Sequence, residues 1–233
     1  MVNALHYDQL ADRVLIAIQE KIVVAVFAPG DKLTVHQLSE ALQVSSTPVR
    51  DALQRLTRHE YVEILPRRGT YVTPMDWQDV ADLYELRTAV AVHAGKLAGR
   101  RVTDHDLDQL RTLAEQAQSK VAADGQYLDY DLYQQAGAAF WRTLIALSGS
   151  RRIIDTAFEL EQHGHFARLR YQENKQKRPA FELFEHGRFE IVAALAQRDD
   201  QAIEQAITQH VKRVSTHAYD VLDQWNRERN ASA

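Results

Sequence analysis

Hydrophobic residues recur every three or four positions along most of the chain, which predicts a mainly α-helical protein. In the first predicted helix, Leu10, Val14, Ile18 and Ile22 share one face, and the helix ends before a turn at Ala28-Pro29-Gly30. Strand patterns are confined to the stretch before position 75. The chain is therefore predicted to form two domains, residues 1–75 and residues 76–233.

Two short amphipathic helices separated by a tight turn follow the first helix. Thr34 is predicted to cap the earlier one, and Gln43-Val44 turn the chain. Thr47 is predicted to cap the later one, and Pro48 to take its first helical position, where a missing N–H costs nothing. The predicted buried stripe of this later helix consists of Val49, Ala52, Leu53 and Leu56.

A two-stranded hairpin is predicted directly after these helices. Tyr61–Leu65 and Thr70–Thr73 are rich in β-branched and aromatic residues, and Pro66-Arg67-Arg68-Gly69 joins them. In isolation such a charged turn is usually only a solvated loop. Directly behind two helices and a turn, it predicts the wing of a winged helix-turn-helix, a fold that reads DNA through its second helix.

The exposed residues of this segment are candidate DNA contacts. Short hydroxyl groups suit phosphate oxygens, a guanidinium suits guanine, and two arginines at the wing tip can reach a groove or the backbone. Gly69 allows a positive φ or a close approach to a phosphate. The predicted DNA-binding residues are Ser45, Ser46, Thr47, Arg50, Arg67, Arg68 and Gly69.

Beyond residue 76 the strand signals vanish, and helical patterns predict an all-helical bundle of six or seven helices. Asp76 is predicted to cap the first of them, a capping-box-like pattern at Thr103–Asp106 opens the second, and Asp124-Gly125 closes it. The first helix is predicted over residues 77–100, later helices over residues 129–147, 151–171, 180–196 and 199–227, and a polar loop over residues 172–179.

Composition restricts the function further. The 233 residues include no cysteine, which excludes disulfides and thiolate chemistry, and no apolar run suggests a membrane span or signal peptide. We therefore expect a cytoplasmic protein. The net charge is −4, and residues 1–75 carry eight basic and eight acidic side chains. An electrically neutral DNA-binding domain predicts weak binding by one copy and tight binding by a homodimer on a palindromic operator.

Three motifs in the first domain resemble the GntR family of bacterial transcriptional regulators: Ala28-Pro-Gly-Asp-Lys-Leu33, Leu38-Ser-Glu40 and Val44-Ser-Ser-Thr-Pro-Val-Arg-Asp-Ala-Leu53. The resemblance implies DNA contacts by Arg50, Thr47, Arg68 and Gly69, and adds His36 and Ser45 as phosphate-side candidates. The family usually has an arginine where this chain has Ser46. That difference predicts weaker attraction for phosphates and an altered operator.

The second half resembles the FCD domain of the FadR subfamily of GntR regulators. The resemblance is carried by Glu85-Leu-Arg87, Phe140-Trp-Arg-Thr-Leu-Ile-Ala-Leu-Ser-Gly149, and Ile191-Val-Ala-Ala-Leu195 followed by Asp199 and His210. It implies a small effector, often an organic acid, in the centre of the bundle. Many such domains also hold a divalent metal ion.

The metal ligands of that subfamily are missing here. The aspartate and first two histidine positions fall on Gly137, Trp141 and Arg188, which leaves His210 alone. One imidazole makes no metal site, so the prediction is that this chain uses neither a metal nor another cofactor. His210 would then be an ordinary hydrogen-bonded histidine of the pocket.

An anion pocket without metal is the alternative that these replacements suggest. Arg87, Arg188 and His210 would contact a carboxylate, and Trp141 would form an apolar wall. The competing explanation is that the arginines pair with local carboxylates such as Glu85 or Glu190, and that Trp141 fills the former metal cavity.

The predicted function is therefore that of a DNA-binding regulator controlled by a small carboxylate. An enzyme is not expected, because no nucleophile or phosphate-binding motif is present, and His163 and His165 have no carboxylate at metal-ligand spacing on their helix. The alternative is a helical dimerisation or scaffold protein without an effector.

Overall fold

A computed structural model describes residues 2–75, 77–122, 126–165, 167, 169, 171–172 and 187–232, with the backbone alone for residues 2–9 and 229–232. The chain forms two compact units. The first comprises Met1–Asp76 together with Gln162–Tyr171, and the second comprises Trp77–Glu161 and Gln172–Ala233. None of the helices in the described ranges has the length and apolar content needed to cross a bilayer.

The first unit is a winged helix-turn-helix, as predicted. Its helices are α1 (Val2–Val23), α2 (Val35–Leu42) and α3 (Ser46–Arg58), and its strands are β1 (Lys32–Leu33), β2 (Val62–Leu65) and β3 (Gly69–Val72). The strands form an antiparallel sheet in the order β1-β3-β2, with Lys32 opposite Tyr71 and Val62 opposite Val72. Strand β1 was not predicted, because two residues are too few to show an alternating pattern.

The core of this unit lies between α1 and α3, which pack against each other. The predicted stripe of α3 is buried, with Val49 and Ala52 fully inaccessible, and it meets Ile18 and Ile22 of α1. Burying such a side chain stabilises the fold by about 2 kcal/mol. The opposite side of α3, which includes Arg50, is thereby held at the surface.

Helix α3 begins two residues earlier than predicted. Ser45 has the extended backbone of an N-cap (φ −67°, ψ 165°), and the helix starts at Ser46, so the prediction that Thr47 caps it is wrong. Pro48 then stands third in the helix, not first. This position costs little, because the N–H groups of the first turn have no helical acceptor. Thr34 caps α2 as predicted, accepting a hydrogen bond from the Gln37 N–H.

The second unit is a helical bundle, with six helices among its described residues. They are α4 (Trp77–Gly99), α5 (Asp104–Gln118), α6 (Tyr130–Leu147), α7 (Arg151–Glu161), α8 (Gly187–Gln197) and α9 (Asp200–Ser232). The capping box of α5 is present: the Thr103 hydroxyl accepts from the Asp106 N–H, and the Asp106 carboxylate accepts from the Thr103 N–H. The predicted cap at Asp76, the stop at Asp124-Gly125 and the segment 173–186 lie outside the described residues.

Helices α4 and α9 form the most extensive contact in this bundle, and two glycines allow their close approach. A Cβ atom on Gly95 would lie 2.4 Å from Cδ1 of Ile207, and one on Gly99 would lie 2.6 Å from Cδ1 of Ile203. Contacts this short leave no room for a side chain. The backbone of α4 therefore rests directly on the isoleucines of α9.

The fourth bundle helix is shorter than predicted. Periodicity predicted one helix over residues 151–171, but α7 ends at Glu161 and helical backbone resumes only at Gly164. The Gly164 N–H donates to the carbonyl oxygen of His59 at 2.8 Å. A Cβ atom on Gly164 would lie 3.0 Å from the Tyr61 ring, so a larger residue here would crowd this approach. A contact with a distant part of the chain thus interrupts the helix.

Candidate DNA-binding surface and effector site

The N-terminal end of α3 offers unoccupied hydroxyl groups at the surface. Ser45 and Thr47 are exposed and Ser46 is half-buried. Although Ser45 is the N-cap, its side chain makes no capping hydrogen bond. Among the described residues, the hydroxyls of Ser45, Ser46 and Thr47 have no intramolecular partner. They can therefore donate to a phosphate oxygen beside the positive end of the helix dipole.

Two arginines of α3 differ in their surroundings. Arg55 is held by the Asp12 carboxylate at 2.7 Å and lies 3.8 Å from Asp51, so its charge is neutralised within the unit. Arg50 is exposed, and within the described ranges no carboxylate pairs with it. A guanidinium in this setting pays no cost of breaking an ion pair when it binds a base or a phosphate. The sequence alone does not show which of the two arginines is available to DNA, because both carry the same charge on the same helix.

The wing tip has the backbone that its sequence predicted. Gly69 adopts φ +116°, and Arg67 also adopts a positive φ of 62°. Arg67 and Arg68 are exposed, and neither forms an ion pair in the described part of the chain. The Arg68 carbonyl accepts a hydrogen bond from the Tyr71 hydroxyl at 3.2 Å, which braces the turn. The tip therefore presents two uncompensated guanidinium groups.

Lys32 is a further cation of this surface that the sequence did not single out. Its ammonium lies 5.9 Å from the centre of the Tyr71 ring, and its Cε lies 3.1 Å from the position of a Cβ on Gly69. Lys32 therefore lies beside the wing tip, brought there by the pairing of β1 with β3. The predicted contact His36 is exposed on α2, with its Nε2 atom 3.5 Å from Glu40.

In the helical unit, a cavity of about 310 Å³ lies between α4, α6 and α7. This size suits a small organic ligand. Its wall is mainly apolar, with Ile145, Ile154 and Phe158 among its members, and Arg87 and Trp141 also line it. Arg188 and His210 are not on the wall. The Trp141 ring connects the two regions, since its centre lies 5.5 Å from that of the His210 ring.

The four positions of the expected metal ligands do converge, although the residues there cannot hold a metal. A Cβ atom on Gly137 would lie 2.8 Å from an Arg188 terminal nitrogen, and Trp141 contacts His210. Glycine and tryptophan offer no ligand atom, and a guanidinium remains protonated, so this donor set does not fit a divalent ion. The Arg188 side chain instead occupies the space above Gly137.

Arg188 is a buried cation at the start of α8. It is 7% exposed, one terminal nitrogen lies 3.5 Å from the Tyr133 hydroxyl, and its guanidinium carbon lies 5.3 Å from the centre of the Tyr133 ring. Its Nε has no hydrogen-bond partner, and no described carboxylate pairs with the guanidinium. Glu190 pairs with Arg213 at 3.4 Å, so the alternative in which Glu190 neutralises Arg188 is wrong. A desolvated cation of this kind favours binding of an anion.

His210 lies beside this cation and is 1% exposed. Burial lowers the pKa of His210 well below its usual value, and the positive charges of Arg188, Arg87 and Arg213 lower it further. The imidazole is therefore neutral at physiological pH, so one ring nitrogen donates a hydrogen bond and the other accepts one.

Tyr133 and Arg213 also lie in this region, although neither was predicted from the sequence. Tyr133, Gly137 and Trp141 lie four residues apart on α6, and Arg213 follows His210 by three residues on α9. Residues at these spacings share one helix face. Helical spacing from Gly137 and His210 would therefore have found both.

Two family models match separate parts of this chain. The model of the family "Bacterial regulatory proteins, gntR family" matches residues 10–72, and the model of the FCD domain matches residues 82–213. The Nta operon transcriptional regulator of Aminobacter aminovorans is 28% identical over 80% of this chain and 84% of its own length. The transcriptional repressor RspR of Escherichia coli is 27% identical over 85% of this chain and 84% of its own length.

Solved structures show the same fold. Escherichia coli McbR/YncC superposes with a TM-score of 0.66 at 21% identity, covering 91% of this chain and 97% of the other. A putative GntR regulator from Rhodococcus superposes with a TM-score of 0.63 at 22% identity, covering 90% of this chain and 97% of the other.

Proposed function

Because this chain belongs to the GntR family of bacterial transcriptional regulators, in the FadR-like subfamily with an FCD domain, we propose that a small carboxylate controls its binding to an operator. Residues 1–75 bind DNA in this proposal, and residues 76–233 bind the effector and join two copies into a homodimer. The protein acts in the cytoplasm, where the operator lies, and performs no catalysis.

The DNA contact is made by the end of α3 and by the wing. Arg50 reads a base edge or binds a phosphate, and Ser45, Ser46 and Thr47 bind the backbone, with His36 beside them. Arg67, Arg68, Gly69 and Lys32 bind the flanking phosphates or groove. The main support is that Arg50, Arg67 and Arg68 are exposed without an ion pair in the described residues, whereas Arg55 is paired.

A homodimer follows from the small number of these cations. Each phosphate that a protein neutralises contributes to affinity, and one copy of this unit offers only a few uncompensated cations. Two copies double the contacts and match two half-sites of a palindrome.

The buried Arg188 is the observation that carries the effector proposal. A guanidinium that is 7% exposed, and with which no carboxylate of the described residues pairs, is stabilised by an incoming anion. The ligand enters the cavity beside Arg87 and Trp141, and its carboxylate extends toward Arg188 and His210. Such an effector shifts operator binding if the DNA-competent and DNA-incompetent states bind it with different affinity.

The DNA part is tested by a mobility-shift or anisotropy titration with the region upstream of the gene. Arg50→Ala should weaken specific binding by about 2 kcal/mol, roughly thirtyfold, because a lost bidentate contact costs this much. Arg55→Ala removes the same charge from the same helix, but from a residue already paired with Asp12. It should change affinity less than threefold. Equal losses in both variants, or no specific shift by the unaltered protein, would contradict the assignment.

The effector part is tested by thermal-shift screening of small organic acids, followed by calorimetry of each acid that binds. Arg188→Met keeps the apolar stem and removes the charge, so it should abolish binding while leaving the protein folded. Arg111→Met, which alters an exposed ion pair with Asp108, is the matched control and should bind normally. An acid that binds Arg188→Met as tightly as the unaltered protein would refute the role of Arg188.

A further inference from the structure

Three side chains with metal-binding chemistry meet in the first unit, at the turn between α3 and β2. His163 Nε2 lies 3.3 Å from a carboxylate oxygen of Glu60, and the Nδ1 atoms of His163 and His165 are 3.2 Å apart. One ligand atom from each of the three residues lies within 4.8 Å of the other two. None of them belongs to the positions of the FCD metal ligands or to the wall of the effector cavity.

The backbone fixes the two histidines relative to Glu60. Gly164, which stands between them, donates its N–H to the His59 carbonyl at 2.8 Å, one residue before Glu60. A Cβ atom on Gly164 would lie 3.1 Å from that carbonyl oxygen, so the glycine eases the approach. Glu60 itself has a φ of 53°. These constraints hold the donor groups together before any ligand binds, which lowers the entropic cost of binding.

Burial of the cluster is uneven in a way that suits an ion entering from solvent. His163 and His165 are 9% and 1% exposed, whereas the Glu60 side chain is 62% exposed. The carboxylate therefore forms the outer side of the cluster and the imidazoles the inner side. Two imidazole nitrogens and a carboxylate oxygen are donors that Zn²⁺, Co²⁺ and Ni²⁺ prefer, while Mg²⁺ and Ca²⁺ favour sites of oxygen atoms alone.

We propose that Glu60, His163 and His165 form a site for one divalent transition-metal ion, with water completing the coordination. Zinc lies about 2.1 Å from imidazole and carboxylate ligands, which places neighbouring ligand atoms of a tetrahedral site about 3.4 Å apart. The 3.2 Å contact to His165 uses Nδ1 of His163, and the 3.3 Å contact to Glu60 uses its Nε2. Taking one ligand atom from each residue, the three atoms lie within 4.8 Å of one another, so a small adjustment brings them to this spacing. Each imidazole gives one nitrogen to the ion, so a ring rotation at His163 or His165 completes the set. The bound ion ties segment Gln162–Tyr171 to the turn after α3.

The experiment is a calorimetric titration of the full chain with ZnCl₂ after removal of metals by a chelator. We expect one ion per chain, and Co²⁺ should give a visible absorption spectrum typical of four ligands with nitrogen donors. Glu60→Gln and His163→Gln should each weaken zinc binding by at least about tenfold. His105→Gln replaces an exposed histidine of α5 and is the matched control, with unchanged affinity expected.

The Glu60 variant separates loss of the metal site from loss of the fold. Glu60 is mostly exposed, so Glu60→Gln should keep its circular dichroism spectrum and melting temperature without metal even if the buried His163→Gln variant unfolds. The proposal is overturned if the unaltered chain binds no zinc. It is equally overturned if folded Glu60→Gln binds zinc with undiminished affinity, or if binding is lost in His210→Gln and retained in His163→Gln.

Discussion

The two candidate sites place their arginines in opposite environments. In the winged helix-turn-helix, Arg50, Arg67 and Arg68 stand in solvent, whereas in the helical bundle Arg188 is 7% exposed beside the buried His210. A hydrated cation gains little by meeting a carboxylate of its own chain. A buried cation is costly until an anion compensates it. The same side chain is thus suited to a large, hydrated polyanion in one unit and to a small, enclosed anion in the other.

This difference also concerns rigidity. The exposed arginines can adjust to a groove, while the buried group is enclosed by glycines that allow no extra atom. A Cβ on Gly137 would lie 2.8 Å from Arg188, and one on Gly187 would lie 2.3 Å from His210. Tight packing of this kind has few alternative arrangements, so a ligand entering beside it must displace whole side chains.

The largest expected effect comes from overfilling that buried centre. Gly187→Val places a branched side chain against His210 and should lower the free energy of unfolding by about 3 kcal/mol. Ala196→Val adds the same side chain at an exposed position of the same helix, α8, and should cost about 0.5 kcal/mol. Urea unfolding followed by circular dichroism measures both. Equal costs would mean that the centre is loosely packed and that the two sites do not differ in rigidity.

The burial of His210 beside Arg188 also predicts how the free energy of unfolding depends on pH. Because the pKa of His210 is lowered in the folded protein, only the unfolded chain binds this proton as the pH falls below about 6.5. As the pH decreases from about 6.5 toward the folded pKa, the free energy of unfolding should therefore decrease. His210 contributes about 1.4 kcal/mol to this decrease for each pH unit.

His210→Gln is the variant that isolates this contribution. It should remove about 1.4 kcal/mol per pH unit from the slope below pH ~6.5, whatever its effect on stability at neutral pH. His105→Gln, at an exposed position of α5, should leave the slope as it is. An unchanged slope in His210→Gln would show that His210 is protonated in the folded protein.

Periodicity predicted most of the fold. The stripe of α3, the wing and the capping box at Thr103 follow from local patterns, because each depends on residues within a few positions of one another. The group around Arg188 was instead predicted from the resemblance to the FCD domain, whose metal-ligand positions fall on Gly137, Trp141, Arg188 and His210. Local rules succeed where the helix itself determines which side chains meet.

The failures have a common physical cause in contacts between distant parts of the chain. Strand β1 exists because Lys32 and Leu33 pair with β3, and the break after α7 coincides with the bond of Gly164 to His59. His163 and His165 were set aside because their own helix offers no carboxylate. Glu60, a hundred residues earlier, supplies it. No spacing rule within one element can find such a partner.

The smallest effect concerns Ser46, where the family usually has arginine. Ser46→Arg adds an uncompensated cation at the first turn of α3, so operator binding should tighten by about fivefold at low salt, near 1 kcal/mol. The logarithm of affinity should also fall more steeply with the logarithm of salt, by about 0.9 per added phosphate contact, or about 1.8 for a dimer. Fluorescence anisotropy between about 50 and 200 mM salt measures both quantities.

Ser46→Gln separates the charge from the length of the new side chain. It introduces a hydrogen-bonding side chain without a cation, so its salt slope should equal that of the unaltered protein. If Ser46→Arg also left the slope unchanged, the first turn of α3 would not lie against the phosphates, and the exposed hydroxyls would lose their assigned role. If only Ser46→Arg steepened the slope, the serine at this position would limit the number of phosphates that the first turn of α3 neutralises.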